Sequence, residues 1–186
     1  MRRLFAAVAV SAALAMPACA VPLGDDGLHK PDWFQDTFKD LREDLAEANA
    51  EGKRLLIMVE QRGCIYCAEM HEKVYPDPAI DALLREKYYV IQINLFGATD
   101  VTDFDGTVLP EKEMARHWHI AFTPTLLFLP DDVPDGETAA EAAVVTMPGA
   151  FGRGTTKALL DWVLARRYET GEMFQEYYAP LTREGN

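Results

Sequence analysis

Two hydrophobic periods alternate along this chain. Phe34, Phe38, Leu41, Leu45 and Ala48 recur at helical spacing. Asp32 stands before them as an N-cap, with Gln35 as its capping-box partner and Gly52 as a stop, so the pattern predicts a first helix here. Residues 54–60 (RLLIMVE) are then almost continuously apolar, which predicts a strand covered on both faces. A helix is predicted from Cys64 to about Val74, broken by Tyr75-Pro76-Asp77-Pro78. Asp77 caps the next helix, with Pro78 in its first position and its end near Lys87. Residues 88–96 (YYVIQINLF) predict a second strand, and 97–109 a polar loop rich in Thr and Asp. Pro110 opens a short helix carrying Met114, Ala115 and Trp118. Residues 125–129 predict a third strand, 130–141 a turn, and 142–146 a fourth strand. An amphipathic helix over 155–169 ends at Gly171, and 173–178 add a short helical tail.

Strands alternating with helices, followed by a close strand pair, predict an α/β domain: a parallel βαβ unit joined to an antiparallel hairpin. The chain has 186 residues, which suits one domain. The divisions expected are a flexible polar leader over 21–31, the domain over 32–170, and a helical tail over 171–186.

Residues 1–20 read as a separate object. Arg2 and Arg3 precede an uncharged Ala- and Val-rich stretch over 4–16, and Ala18-Cys19-Ala20 offers small residues to a signal peptidase. A secretory signal peptide cleaved after Ala20 is expected, and a periplasmic location with it. The competing readings are a buried helix, a twin-arginine signal with poorly matching flanks, and lipidation of Cys19, for which Met16-Pro17-Ala18 is a poor lead-in. The formal net charge is −12, and removing Arg2 and Arg3 with the leader makes it −14. Such a surface argues against nucleic acid and anionic membranes as partners, and suits protein clients.

The expected exported chain keeps Cys64 and Cys67. A bridge between residues this close constrains almost no loop, so chemistry explains the pair better than stability does. Cys64 would sit at a helix N-terminus, where free amide N–H groups and the helix dipole favour the thiolate. Cys67, one turn inside, would be the resolving thiol. Other readings of the pair are structural cysteines or a metal-carrying chaperone using Cys64, Cys67 and His71; no second cysteine pair completes a zinc site. Haem attachment needs His directly after the second cysteine, where Ala68 stands. No cofactor is expected. His71 reads as a partly exposed helix residue, Asp100, Asp103 and Asp105 as a solvated acidic loop rather than a calcium site.

With RLLIMVEQRGCIYCAEMH, the strand YYVIQINLF and FTPTLLFL over 122–129, the chain resembles the thioredoxin superfamily across 32–169. The resemblance implies a thioredoxin fold: a central mixed sheet of four to five strands between helices, in three α/β/α layers. It implies a cis peptide bond at Thr123-Pro124 facing the cysteines, with Thr123 and Pro124 receiving an extended client strand by backbone pairing and Tyr66 and Arg62 shaping the surface around it. The GCIYC motif, Met70-His71 and the Asp-Phe-Asp-Gly loop at 103–106 resemble more narrowly the SoxW-like periplasmic thioredoxins of bacterial sulfur oxidation. That likeness implies a reductase of protein disulfides, re-reduced by a membrane thiol carrier; an oxidase that introduces disulfides is the alternative. The buried Asp six residues before the first cysteine in cytoplasmic thioredoxins is Met58 here. Glu60 reads first as a solvated strand-end carboxylate and second as a proton relay.

Overall fold

A computed structural model describes residues 21–184. The expected signal peptide and Cys19 lie outside them. Four strands form the main sheet: β1 (Arg54–Glu60), β2 (Tyr88–Asn94), β5 (Thr125–Phe128) and β6 (Val145–Pro148). Their order is β2-β1-β5-β6; β2 runs parallel to β1, while β5 and β6 pair antiparallel. A separate hairpin joins β3 (Asp100–Thr102) to β4 (Val108–Pro110). The sheet is mixed, four-stranded and covered by helices on both faces, in the α/β arrangement expected.

The apolar run of β1 is explained by its central position. Its residues alternate between two cores, as side chains on a strand must. Leu55, Ile57 and Val59 join a cluster with Leu45 of α1 (Leu41–Ala50) and Met114 of α4 (Glu111–His117). Leu56 and Met58 face the other way, toward a π-helical turn (Met70–Val74) that continues α2 (Ile65–Glu69), and toward α3 (Pro78–Lys87) and α6 (Arg153–Leu164). Tyr88 Oη donates to the Leu160 carbonyl at 2.7 Å and ties the sheet to α6.

Several boundaries differ from the periodicity. The first helix begins at Leu41, capped by Asp40, whose carboxylate accepts from the Arg42 and Glu43 amides. Asp32 does not cap it. Residues 33–35 instead run along the outer edge of β2, where the Gln35 amide donates to the Val90 carbonyl at 2.8 Å. That edge offers unpaired backbone groups, and satisfying them outweighs a helical spacing whose Phe38 is 95 % exposed. The fourth strand starts at Val145 because Thr138 and Glu141 form a capping box that nucleates α5 (Ala139–Ala142). The final helix stops at Leu164 and passes through a 3₁₀ turn (Arg167–Thr170) before α7 (Phe174–Glu184), longer than the tail expected.

The expectation of a flexible leader is also corrected. Residues 22–30 fold as a small hairpin, with the Lys30 amide donating to the Pro22 carbonyl and Gly24 to Leu28, both at 2.8 Å. Leu28 is buried. Gly27 has φ +74°, and a Cβ there would meet the Arg62 side chain at 2.6 Å, so the turn accepts only glycine at this approach. The 97–109 loop is likewise less solvated than its composition suggests. Asp103 is buried and accepts from the Trp118 indole at 2.6 Å and the Ala139 amide at 2.8 Å. Burial pushes its carboxyl above the ordinary value, against these stabilising bonds.

Candidate active site

The end of β1 feeds a short turn, Gln61-Arg62-Gly63, into α2. Gly63 has φ +74°, which lets the chain reverse into the helix. Cys64 is the N-cap of α2, and the Cys67 amide donates to its Sγ at 3.0 Å. The two cysteines are joined as a disulfide, with Cα atoms 5.2 Å apart. Both cysteines are buried, Cys64 (8 % exposed) less deeply than Cys67 (2 %). This is the asymmetry that an attacking and a resolving thiol require.

Across from them, the loop before β5 supplies Thr123 and Pro124, joined by a cis peptide bond. Thr123 Oγ1 donates to Cys64 Sγ at 3.3 Å, and the Thr123 carbonyl lies 3.5 Å from the same sulfur. Residues 59 positions apart in sequence thus meet at one atom. Tyr66 is exposed on the first turn of α2. Sequence reasoning overlooked its apolar neighbours, Ile65 and Phe122, both exposed beside the motif. Exposed large apolar groups flanking a reactive pair are a signal that could have been read directly.

Glu60 overturns its first reading. It is not solvated but 1 % exposed, at the last position of β1. Its Oε1 lies 2.9 Å from His71 Nε2, and its Oε2 accepts from the Gln92 side-chain amide at 2.6 Å. Gln92 also donates to the His29 carbonyl at 3.0 Å and accepts from Lys30 Nζ at 2.6 Å. His71, expected to be partly exposed, is 1 % exposed. Its ring stacks on His29 at 4.6 Å between centroids. Burial chiefly, and the nearby His71 charge, hold the His29 imidazole below its ordinary value. The apolar spacing around position 71 hid this, because the carboxylate that justifies burying the histidine comes from another element.

Cys67 and His71 lie four apart on a continuous helical run, which places them on one face a turn apart. The site therefore has two cysteines of unequal burial, and a buried carboxylate–imidazole pair whose histidine sits one helical turn after Cys67. Among the described residues, no three His, Cys, Asp or Glu side chains converge as a cation site. Of the residues considered for metal carriage, His71 meets Glu60 through Nε2, and Cys64 and Cys67 are joined to each other.

A thioredoxin-like domain profile matches residues 41–149. Among solved structures, the chain is similar to a thioredoxin-fold protein from Helicobacter pylori: 14 % identity over 71 % of this chain and 81 % of that one, TM-score 0.55. It is also similar to a thioredoxin from Thermus thermophilus: 25 % identity over 72 % of this chain and 90 % of that one, TM-score 0.53. No curated protein matches the sequence. With the matched span covering the strand, the cysteine helix and the Thr123-Pro124 loop, the chain belongs to the thioredoxin-like domain family and has that family's oxidoreductase fold with a CxxC-type disulfide between Cys64 and Cys67.

Proposed function

We propose that this protein is an exported, periplasmic reductase of protein disulfides. The observation that carries the direction is the environment of Cys64. Among the described residues its sulfur meets one amide, one hydroxyl and one carbonyl, and no cationic side chain. A thiolate with so few stabilising partners gives up its electrons readily, which favours reduction of the client.

In the reduced enzyme the Cys64 thiolate attacks one sulfur of a client disulfide. The client S–S bond breaks, and the leaving thiolate takes a proton from solvent. Cys67 then loses its proton toward the Glu60–His71 pair and attacks Cys64 Sγ. The mixed disulfide breaks and the second client thiolate leaves. Two electrons have passed to the client, and the Cys64–Cys67 disulfide remains. A membrane thiol carrier would return the two electrons. The client's extended backbone would lie against Thr123, with its apolar side chains on Ile65, Tyr66 and Phe122. The GCIYC and Asp-Phe-Asp-Gly likeness makes a protein of sulfur oxidation the first client to try.

The test is equilibration of the Cys64–Cys67 pair in a series of thiol buffers, anaerobic and metal-free. A midpoint near about −270 mV supports the reductase, and one near about −120 mV makes the protein an oxidase. Absence of a reversible disulfide would remove the redox reading altogether.

A further inference from the structure

The polar network of Glu60, His71 and Gln92 closes on the leader hairpin. Lys30 Nζ is held between Asp26 Oδ2 at 2.8 Å and Gln92 Oε1 at 2.6 Å. The Gln92 amide nitrogen donates to Glu60 Oε2 at 2.6 Å and to the His29 carbonyl at 3.0 Å. Glu60 Oε1 meets His71 Nε2 at 2.9 Å, and the His71 ring stacks back on His29. The path leaves the hairpin at Lys30 and returns to it at His29.

Three partners fix Gln92, and consecutive residues of the leader supply two of them. An ammonium only donates and a carbonyl only accepts, so Lys30 takes the oxygen end of the amide and His29 the nitrogen end. Gln92 is 8 % exposed, and an amide this buried is left with unpaired groups if the leader lets go. The third partner is set by the sheet. Met58 is the Cα partner of Gln92 in the β1–β2 pairing, and Glu60, two residues on, shares the face of Met58. The last torsions of Gln and Glu side chains are broad, so neither group holds a direction by itself. Gln92 is held by the leader, and it holds Glu60 Oε2. Glu60 Oε1 is thereby kept on His71, one helical turn after Cys67.

We propose that Gln92 is a positioning residue for thiol–disulfide exchange, set by Lys30 and the His29 carbonyl. The leader hairpin aims the Glu60 carboxylate at the cysteine helix, and the rate at which Cys67 resolves a mixed disulfide depends on that aim. This rests on the reading above that the Cys67 proton leaves toward the Glu60–His71 pair. Attack by Cys64 does not use that acceptor and does not depend on Lys30.

The experiment mixes the reduced protein with the chromogenic disulfide dithiobis-nitrobenzoate in stopped flow, over a range of reagent concentrations. The Cys64 thiolate breaks the reagent's S–S bond, releasing one nitrothiobenzoate and leaving the other in a mixed disulfide. Cys67 then loses its proton and attacks Cys64 Sγ, and the second nitrothiobenzoate leaves. The first phase scales with reagent concentration and the second does not, so attack and resolution are read separately. Lys30→Met, which keeps the apolar stem and removes the donor, slows the second phase about tenfold and leaves the first within about twofold. Lys30→Arg, which restores a cationic donor, recovers most of the rate. Gln92→Leu slows the second phase at least as much as Lys30→Met. In a Glu60→Gln background Lys30→Met adds no further slowing, because both changes act through one carboxylate. An effect of Lys30→Met that persists in that background, or that reaches both phases alike, would give the hairpin a structural role and overturn the proposal. A second phase slowed by Glu60→Gln and untouched by Lys30→Met overturns the proposal and spares the proton reading. A second phase untouched by Glu60→Gln removes the proton reading and the proposal with it.

Discussion

At the scale of single residues, the proposed reductase cycle assigns unequal work to the two sulfurs. Cys67→Ser leaves Cys64 able to attack and unable to be resolved, so a stable mixed disulfide with the client should accumulate, visible by non-reducing electrophoresis; Cys64→Ser should form none. Glu60→Gln keeps the shape of the buried network and removes its base. Resolution of the mixed disulfide should slow about a hundredfold near pH 7 and recover as pH rises and hydroxide replaces the missing acceptor. A pH-independent loss would assign Glu60 a packing role alone. Asp44 provides a test of stability. Burial raises its carboxyl from 3.8 to about 6, opposed by the Thr37 hydroxyl bond and helped by Glu47. A folded value above the unfolded one means the fold prefers the protonated form. Stability from this group is full below about pH 4 and declines as pH climbs through 6. Asp44→Asn should therefore raise the unfolding midpoint at pH 7.5 and leave it nearly unchanged at pH 4. That Cys64 and Cys67 pair at a helix start and that Thr123-Pro124 precedes a strand was legible in the sequence, because a short motif before a helix and a Thr-Pro step before a strand are local signals. His71 was not, because its partner lies eleven residues away on another element.

At the scale of elements, local signals succeeded where one element decides its own boundary and failed where a neighbour does. Asp77-Pro78 caps α3 as expected, with the Asp77 carboxylate accepting from the Ala79 amide at 3.0 Å. The first helix was misplaced because Asp32 and Asp40 both precede apolar spacing. Only the edge of β2, supplied by residues 88–94, decides between them. Asp40→Ala should cost about 1 kcal/mol in denaturant unfolding, as an N-cap does, whereas Asp32→Ala, which removes an exposed pair with Arg85, should cost less than about half of that. Equal losses would mean that the cap is not Asp40. β6 slipped for a similar reason: the helix opened by the Thr138–Glu141 box runs from the expected turn into Ala142, the first residue of the expected strand.

At the scale of the whole molecule, the order of the main-sheet strands and the helices between them was legible, and with it the layered α/β architecture, while the β3–β4 hairpin and α5 were read as loop and turn. What the sequence did not disclose is that the leader belongs to the fold. Its composition is that of a linker, yet Leu28 is buried and His29 and Lys30 complete the polar network of Glu60, His71 and Gln92. Leu28→Ala should therefore destabilise the protein by about 2–4 kcal/mol, measured by denaturant unfolding, as for a core leucine. A loss below about 0.5 kcal/mol would return the segment to the status of a linker.

The pairing of β1 with β5, a strand far along the chain, as well as with β2 has a further consequence, for the protein's birth rather than its working life. Thr123 leaves the ribosome 59 residues after Cys64. At ordinary synthesis rates of about 5–20 residues per second, the two thiols spend roughly 3–12 s outside with no opposing loop to screen them. During that interval they are ordinary cysteines, open to any oxidant or stray thiol. The selectivity of the centre is a late acquisition, gained when the third strand of the sheet closes over it.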